Sequence, residues 1–331
     1  MLNSTAVYTK HDYEAIKILE DFLPDKIFDA HAHLYDSAFL PIVHPASNGP
    51  SVGDIEAYKK AMTPMLCNPS VLRMNIITFP DPSMADPESG NCKKSDQFLV
   101  EQLNQDPSNV AEIIVSPKET SEEIEKRFIH PGIRGMKCYH YLAKADSTWA
   151  LPIREYLPEA AWEVADQKKM CITLHMVRDK ALSDEENLNY ICTMAEKYPN
   201  AILILAHAAR SFASWTAIEA ITKVAHLENV WFDFSGICES PAMFKIMQKV
   251  GVKRCMWGSD YPVCADHGKA ISLADKFYWI YQKELDILAP PSYWLIGLEN
   301  LMAVRQACIL AELGKSEIED LFYYNAAGLW K

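Results

Sequence analysis

Eight short apolar runs recur along this chain, and they constrain its fold more than any other feature. They lie near residues 26–33, 72–79, 109–116, 133–140, 170–177, 201–208, 229–236 and 254–261. Most are continuously hydrophobic rather than alternating, as strands buried on both faces of a parallel sheet are. Helical patterns separate the later runs: 157–169 with Pro158 near its start, 183–199 with Ser183 and Glu186 spaced as a capping box, 214–229 and 240–251. Such β-α units joined by right-handed crossovers make an open doubly wound sheet or a closed barrel. Eight strands favour the (β/α)8 TIM barrel, an α/β fold.

The first 25 residues read as an N-terminal helical extension, and 26–331 as a single barrel domain. Stretches 34–70, 80–108 and 138–157 read as extended βα loops, with a short helix at 54–63; on a barrel these loops surround the mouth and carry specificity. Residues 268–288 and 298–314 read as extra C-terminal helices. The aromatic residues Phe277, Tyr278, Trp279 and Tyr281 in the first of these belong either to the core or to an interface in a homo-oligomer.

Charge narrows the partners. The net charge is −12, from 32 basic and 44 acidic side chains, with no Lys/Arg cluster. Nucleic acid is excluded on that ground, because neutralising phosphates needs a basic patch. An anionic membrane surface is disfavoured for the same reason, and no apolar run is long enough to span a bilayer. The nine cysteines are scattered without a CxxC pair, which fits a reducing cytoplasm. A small-molecule substrate is the expected partner.

Chemistry-bearing residues gather at the C-terminal ends of the runs. His31 and His33 close the first, Lys137 lies late in the fourth, and His175 and His207 close the fifth and sixth. Asp260 follows the eighth. In a parallel barrel these ends converge on one mouth. Residues two apart in a strand point the same way, so His31 and His33 both face the axis while the small Ala32 points outward. Imidazole and carboxylate suit a borderline divalent ion, with Zn²⁺ expected first and Mn, Fe or Ni accepting the same ligands. A lysine joins such a set only as its CO₂ adduct, an anionic carbamate; the site then holds two ions, and otherwise one.

"DAHAH" after the first run, single histidines closing the fifth and sixth, and "GSDYP" after the eighth resemble the amidohydrolase superfamily. The tail "IEDLFYYNAAGLW" resembles the closing helix of its amidohydrolase-related branch. The resemblance covers about residues 26–331 and implies a metal-dependent barrel enzyme. It implies that His31, His33 and His175 are metal ligands. His207 then binds a second metal or orients substrate, and Asp260 binds metal and shuttles protons. "GMKCYH" is similar to the segment of ureases and dihydroorotases that carries the carbamylated lysine, which would place Lys137 in the ligand set.

The remaining candidates are substrate-facing. Arg210 can clamp a carboxylate bidentately, and Tyr139 and His140 flank Lys137. His44 reads as a loop residue, Trp257 as barrel packing and Cys238 as a buried thiol. The leading expectation is a hydrolase cleaving a C–N or C–O bond of a small amide, lactone or ester, with water activated by the metal. The alternative is a decarboxylase or hydratase of a small carboxylic acid on the same scaffold. A non-catalytic metal- or ligand-binding barrel is the third reading, and Asp260 speaks against it, since pure binding needs no proton shuttle.

Overall fold

The eight apolar runs become eight strands around a common axis. The computed structural model describes residues 7–40, 49–143, 145, 147–288 and 293–331. The strands are β1 (Lys26–Asp36), β2 (Val71–Thr78), β3 (Val110–Val115), β4 (Ile133–Cys138), β5 (Cys171–Leu174), β6 (Ile202–Leu205), β7 (Val230–Asp233) and β8 (Cys255–Met256). Each pairs in parallel with the next. The two ends of the sheet meet just beyond β8. Ala30 N–H donates to Trp257 O (3.0 Å), Asp260 N–H to His31 O and His33 N–H to Tyr261 O (2.8 Å each). These bonds close a (β/α)8 TIM barrel. A two-residue strand, Val52–Gly53, adds antiparallel to the end of β1.

The register of β1 against β2 shifts between Asp29 and Ala32, a β-bulge placed at His31. Bulges re-aim side chains, and this one sits where the first histidine must turn toward the axis. Asp29 stabilises the bend: its buried carboxylate accepts from His31 N (3.0 Å), Ser259 N (2.8 Å) and the Tyr58 hydroxyl (2.7 Å). One carboxylate thereby holds the loop after β8 against the end of β1.

The floor of the barrel is plugged by the C-terminal tail. Trp330 stacks on Phe28 with centroids 5.6 Å apart. Asn325 donates to Val252 O and Cys255 O, both at 2.8 Å, so the Asn-Ala of the tail caps the entry to β8. Trp257 is fully buried and donates to Asn300 Oδ1 (3.0 Å), and Cys238 is buried as well. The helix Lys10–Leu19 in the N-terminal segment is tied to the barrel through Asp12, which meets His267 and the backbone of Leu295.

Three local expectations are corrected. Residues 268–288 are not one helix: Gly268–Leu273 and Lys276–Tyr281 form an antiparallel hairpin, followed by a helix over Gln282–Leu288. The aromatics follow a period of two, not 3.6. Phe277 and Trp279 pack on Phe212 at 4.6 and 5.4 Å and Tyr281 stacks on Trp279, while Tyr278 points to solvent. The stretch 80–108, expected as loop, contains a fifteen-residue helix, Asn91–Gln105, that buries Phe98, Leu99 and Leu103. Its start after Gly90, in the left-handed region at φ +66°, was hidden by the Pro/Gly-rich lead-in. The helix expected at 183–199 begins at Glu185 and is capped by Asp184, not Ser183. Asp184 accepts from Glu186 N and Asn187 N, whereas the Ser183 hydroxyl is spent on Thr216 O (2.7 Å). No helix among the described residues is long and apolar enough to cross a membrane.

Candidate metal centre

His31, His33, Lys137, His175, His207 and Asp260 come together at the mouth, and all are buried. The Nε2 atoms of His31 and His33 are 3.1 Å apart. Lys137 Nζ is 3.1 Å from His31 Nε2. Asp260 Oδ1 lies 3.8 Å from His31 Nε2 and 3.6 Å from His33 Nε2. The His207 ring centroid is 5.0 Å from that of His31 and 5.0 Å from that of His175. His31, His207 and Asp260 each offer one ligand atom, and these lie within 4.8 Å of one another. His44 is outside the described residues.

Only His31, His33 and Lys137 sit inside strands. His175 follows β5 by one residue, and His207 sits beyond β6 in a turn of unusual hand. His207, Ala208, Ala209 and Arg210 have φ of 56, 50, 58 and 59°, four successive left-handed residues. None is glycine, and each costs roughly 1–2 kcal/mol in that region. Strain of this kind concentrates at functional sites. The turn is held by Ser211 N donating to His207 O (2.9 Å) and by His207 N donating to Asp233 Oδ1 (3.2 Å). Asp260 also has a left-handed backbone, at φ +59°.

The strand-seven segment Asp233–Gly236 is the part of the site that sequence reasoning missed. Asp233 Oδ2 lies 3.0 Å from His31 Nδ1. Ser235 donates its hydroxyl to Asp233 Oδ1, and its carbonyl and Oγ both lie 3.0 Å from His207 Nδ1. Gly236, at φ +67°, leaves the space beside Asp260: a Cβ there would stand 3.1 Å from Asp260 Oδ2. Asp and Ser two apart at a strand end, followed by Gly, was the available signal. A second missed residue is Glu112 of β3, fully buried and accepting from Thr173 Oγ1 (3.0 Å).

Burial controls the charges here. It pushes His31, His33 and His175 well below the ordinary imidazole value, with neighbouring cationic groups adding to the effect. His207 is pushed down to about 3, again mainly by burial. All four are therefore neutral at pH 7, the form that binds metal. Burial lifts Asp260 to about 7 against the pull of Lys137, and lifts Glu112 to about 8 against Thr173 and Lys137. Burial lowers Lys137, while the charges of Asp233, Glu112 and Asp260 resist the change.

The donor set fits a cation. His33 Nδ1 faces Thr78 O (3.4 Å) and His31 Nδ1 faces Asp233, so both rings carry their proton on Nδ1. Their Nε2 lone pairs then confront each other at 3.1 Å, an arrangement that a bound cation stabilises and that Lys137 meets on the His31 side by its Nζ. His207 Nδ1 faces a carbonyl, so its Nε2 is also a lone pair, and it accepts from His175 Nδ1 (3.2 Å). That leaves His175 Nε2 buried with no partner among the described residues.

The substrate-facing candidates lie to one side. Tyr139 packs 4.3 Å from the His175 ring, and His140, 5.9 Å from it, meets Thr148 Oγ1 at 2.7 Å. Arg210 projects from the left-handed turn between Trp149 and Phe277, its guanidinium carbon 5.4 and 5.2 Å from their centroids. No carboxylate among the described residues pairs with it.

The closed parallel barrel brings four histidines, a lysine and an aspartate together at its mouth. The chain belongs to the amidohydrolase family, whose model matches residues 28–331. No curated protein matches the sequence significantly. Solved structures share the fold at low identity. A 5-carboxyvanillate decarboxylase of Sphingomonas paucimobilis has TM-score 0.58 and 12% identity, over 93% of this chain and 99% of that one. A zinc-bound amidohydrolase of Burkholderia multivorans has TM-score 0.59 and 14% identity, over 92% and 99%. A Pseudomonas putida protein provisionally described as a 2-pyrone-4,6-dicarboxylic acid hydrolase has TM-score 0.56 and 14% identity, over 93% and 98%.

Proposed function

We propose that this chain is a metal-dependent hydrolase that cleaves a C–N or C–O bond, in an amide, lactone or ester, of a small molecule bearing a carboxylate. One observation carries the reading. Asp260 is buried at the mouth with no hydrogen-bond donor to its carboxylate among the described residues, and it faces the imidazole cluster at 3.6–3.8 Å. A carboxylate raised to about 7 in that position can take a proton from water and return it to a leaving group.

His31, His207 and Asp260 would hold the ion, with His33 Nε2 beside His31 and Asp260 as a further ligand, and His175 offers its free Nε2. A divalent ion bound there supplies Lewis acidity and lowers the pKa of water toward about 7. Zn²⁺ fits this nitrogen-rich set, and the zinc-bound Burkholderia multivorans amidohydrolase supports the choice. His207 acts as a ligand and not as a hydrogen-bond donor to substrate, because its Nδ1 proton is committed to Ser235. Arg210 binds the substrate carboxylate, and Tyr139 and His140 form the wall beside it.

A second reading rests on Arg210. A half-buried guanidinium with aromatic faces and no carboxylate partner among the described residues suits a carboxylic acid substrate, so a decarboxylase or hydratase fits the same site. Zn²⁺-loaded protein is tested against amides, esters, lactones and small aromatic or unsaturated acids, with acid release and CO₂ both monitored. Acid release without CO₂ is expected. CO₂ release from an acid, with every amide, ester and lactone untouched, would overturn the hydrolase reading in favour of the second.

A further inference from the structure

Strand β7 contributes no candidate ligand, yet the segment at its end bonds to two of them, His31 and His207, and borders a third, Asp260. We propose that Asp233 and Ser235 are positioning residues that fix the tautomers of His31 and His207, so that both rings present a bare Nε2 to the metal. The proposal rests on the metal-centre reading for its purpose, but its geometry can be tested without a metal.

Proton counting leads to it. Asp233 Oδ1 receives three donors: His207 N (3.2 Å), Ser235 N (3.1 Å) and the Ser235 hydroxyl. That hydroxyl has one hydrogen, and it is spent on Asp233. Ser235 Oγ can therefore only accept from its other two neighbours, His31 Nδ1 at 3.3 Å and His207 Nδ1 at 3.0 Å. The Ser235 carbonyl, also 3.0 Å from His207 Nδ1, has no proton to give. Asp233 Oδ2, 3.0 Å from His31 Nδ1, is likewise an acceptor. Every atom facing the two Nδ1 positions is an acceptor, so each imidazole supplies its own proton there. Both Nε2 atoms are left without a proton, as acceptors that Lys137 and His175 Nδ1 now face. Lys137 agrees from the opposite side of His31, since its amine donates to Nε2.

The same carboxylate oxygen anchors the backbone of His207, at the head of the left-handed turn that also carries Arg210. Two residues on, Gly236 makes room for Asp260. Positions 233–236 thus set His31 by its ring, His207 by ring and backbone, and Asp260 by space.

The test is Asp233→Asn. An amide has one acceptor oxygen, and the Oδ1 position with three donors claims it. The NH₂ then faces His31 Nδ1 and forces that ring to carry its proton on Nε2. In ¹⁵N-histidine-labelled, metal-stripped full-length protein, NMR is expected to show His31 and His207 both protonated at Nδ1. In Asp233→Asn, His31 switches to Nε2–H while His207 stays as it was. Affinity for Zn²⁺ alone, read by chelator competition, falls roughly 10–100-fold, as removal of such outer hydrogen bonds does. A wild-type His31 protonated at Nε2 would overturn the proposal, as would a variant with unchanged tautomer and affinity. Should the variant not fold, the wild-type spectrum decides alone. A wild type that shows the expected tautomers but binds neither Zn²⁺ nor Mn²⁺ would sink the metal reading and leave the positioning intact.

Discussion

Lys137 Nζ lies 3.1 Å from His31 Nε2, within hydrogen-bond reach of the lone pair that a metal would use. This contact bears on whether the lysine is carbamylated. A carbamate adds a carboxyl group beyond Nζ, and that group needs its own space between lysine and ligands. With Nζ at 3.1 Å from His31 Nε2, we propose that Lys137 is unmodified and that the site takes a single ion. The lysine then competes with the ion for one lone pair and, when charged, repels it. Lys137→Met is expected to raise Zn²⁺ affinity by roughly tenfold, measured by calorimetric titration. Intact-mass analysis is expected to show no added CO₂ on the wild type. Two ions per chain, falling to one in the variant, would establish the carbamate instead.

His31 and His33 supply the two lone pairs that meet at 3.1 Å, so removing both should abolish metal binding. The double variant His31→Asn, His33→Asn removes no large apolar group, and its fold is expected to persist. A bound ligand stabilises the native state by about 2.7 kcal/mol when present at a hundred times its Kd. Wild-type protein should therefore gain thermal stability on adding Zn²⁺, and the double variant should gain none. Equal gains in both proteins would remove these histidines from the metal site.

The barrel was legible because its strands are apolar runs in a fixed order, and their order survives whatever the loops do. The inward-facing candidates were legible for the same reason: His31 and His33 lie two apart on β1, and the others lie at or shortly beyond strand ends. What hid was chemistry set by contact across the barrel. Asp233 meets His31, 202 positions away in the chain; the Asp-x-Ser-Gly of "NVWFDFSG" marks a polar strand end but not its partner. The left-handed turn at His207–Arg210 was hidden for another reason. Its residues are His, Ala, Ala and Arg, with no glycine to mark positive φ. The hairpin at 268–281 was mistaken for helix because dense aromatics obscured a period of two, and the exposed Tyr278 is what gives that period away.

Asp12 joins the N-terminal helix to the barrel. Its carboxylate accepts from Thr9 N and Oγ1 (2.7 Å each) and from Leu295 N (2.9 Å), and it pairs with His267 Nε2 (2.8 Å). Burial alone would raise its pKa, and the bonds from His267, Thr9 and Leu295 outweigh that and hold it below the ordinary value of 3.8. A depressed carboxylate contributes stability that is fully present above its unfolded pKa and is lost as pH falls through the folded value. Asp12→Asn is expected to cost about 2 kcal/mol at pH 7, with the gap to wild type closing below about pH 4. Urea unfolding at pH 7, 4 and 3 measures it. No gap at pH 7, or one that widens in acid, would count against this clasp.

Asp260 has two roles to separate, ligand and proton carrier. Asn is nearly isosteric and keeps one oxygen toward the cluster, so Asp260→Asn tests the proton more than the shape. The fold should tolerate it, because the backbone bond from Asp260 N to His31 O (2.8 Å) does not involve the side chain. Zn²⁺ affinity is expected to weaken, and turnover is compared at saturating Zn²⁺ to remove that effect. Under those conditions kcat should still fall by roughly 10²–10⁴, the range for a lost general base. The wild-type profile should show a limb, rising with pH, that vanishes in the variant. Turnover restored by Zn²⁺ saturation, with the pH limb unchanged, would leave Asp260 a ligand only. Gly236→Ala is the independent check. It deletes no candidate ligand but sets a methyl group 3.1 Å from Asp260 Oδ2, on a backbone whose φ is +67°. If the position of that carboxylate matters for proton transfer, kcat should drop in this variant too, with Zn²⁺ still bound.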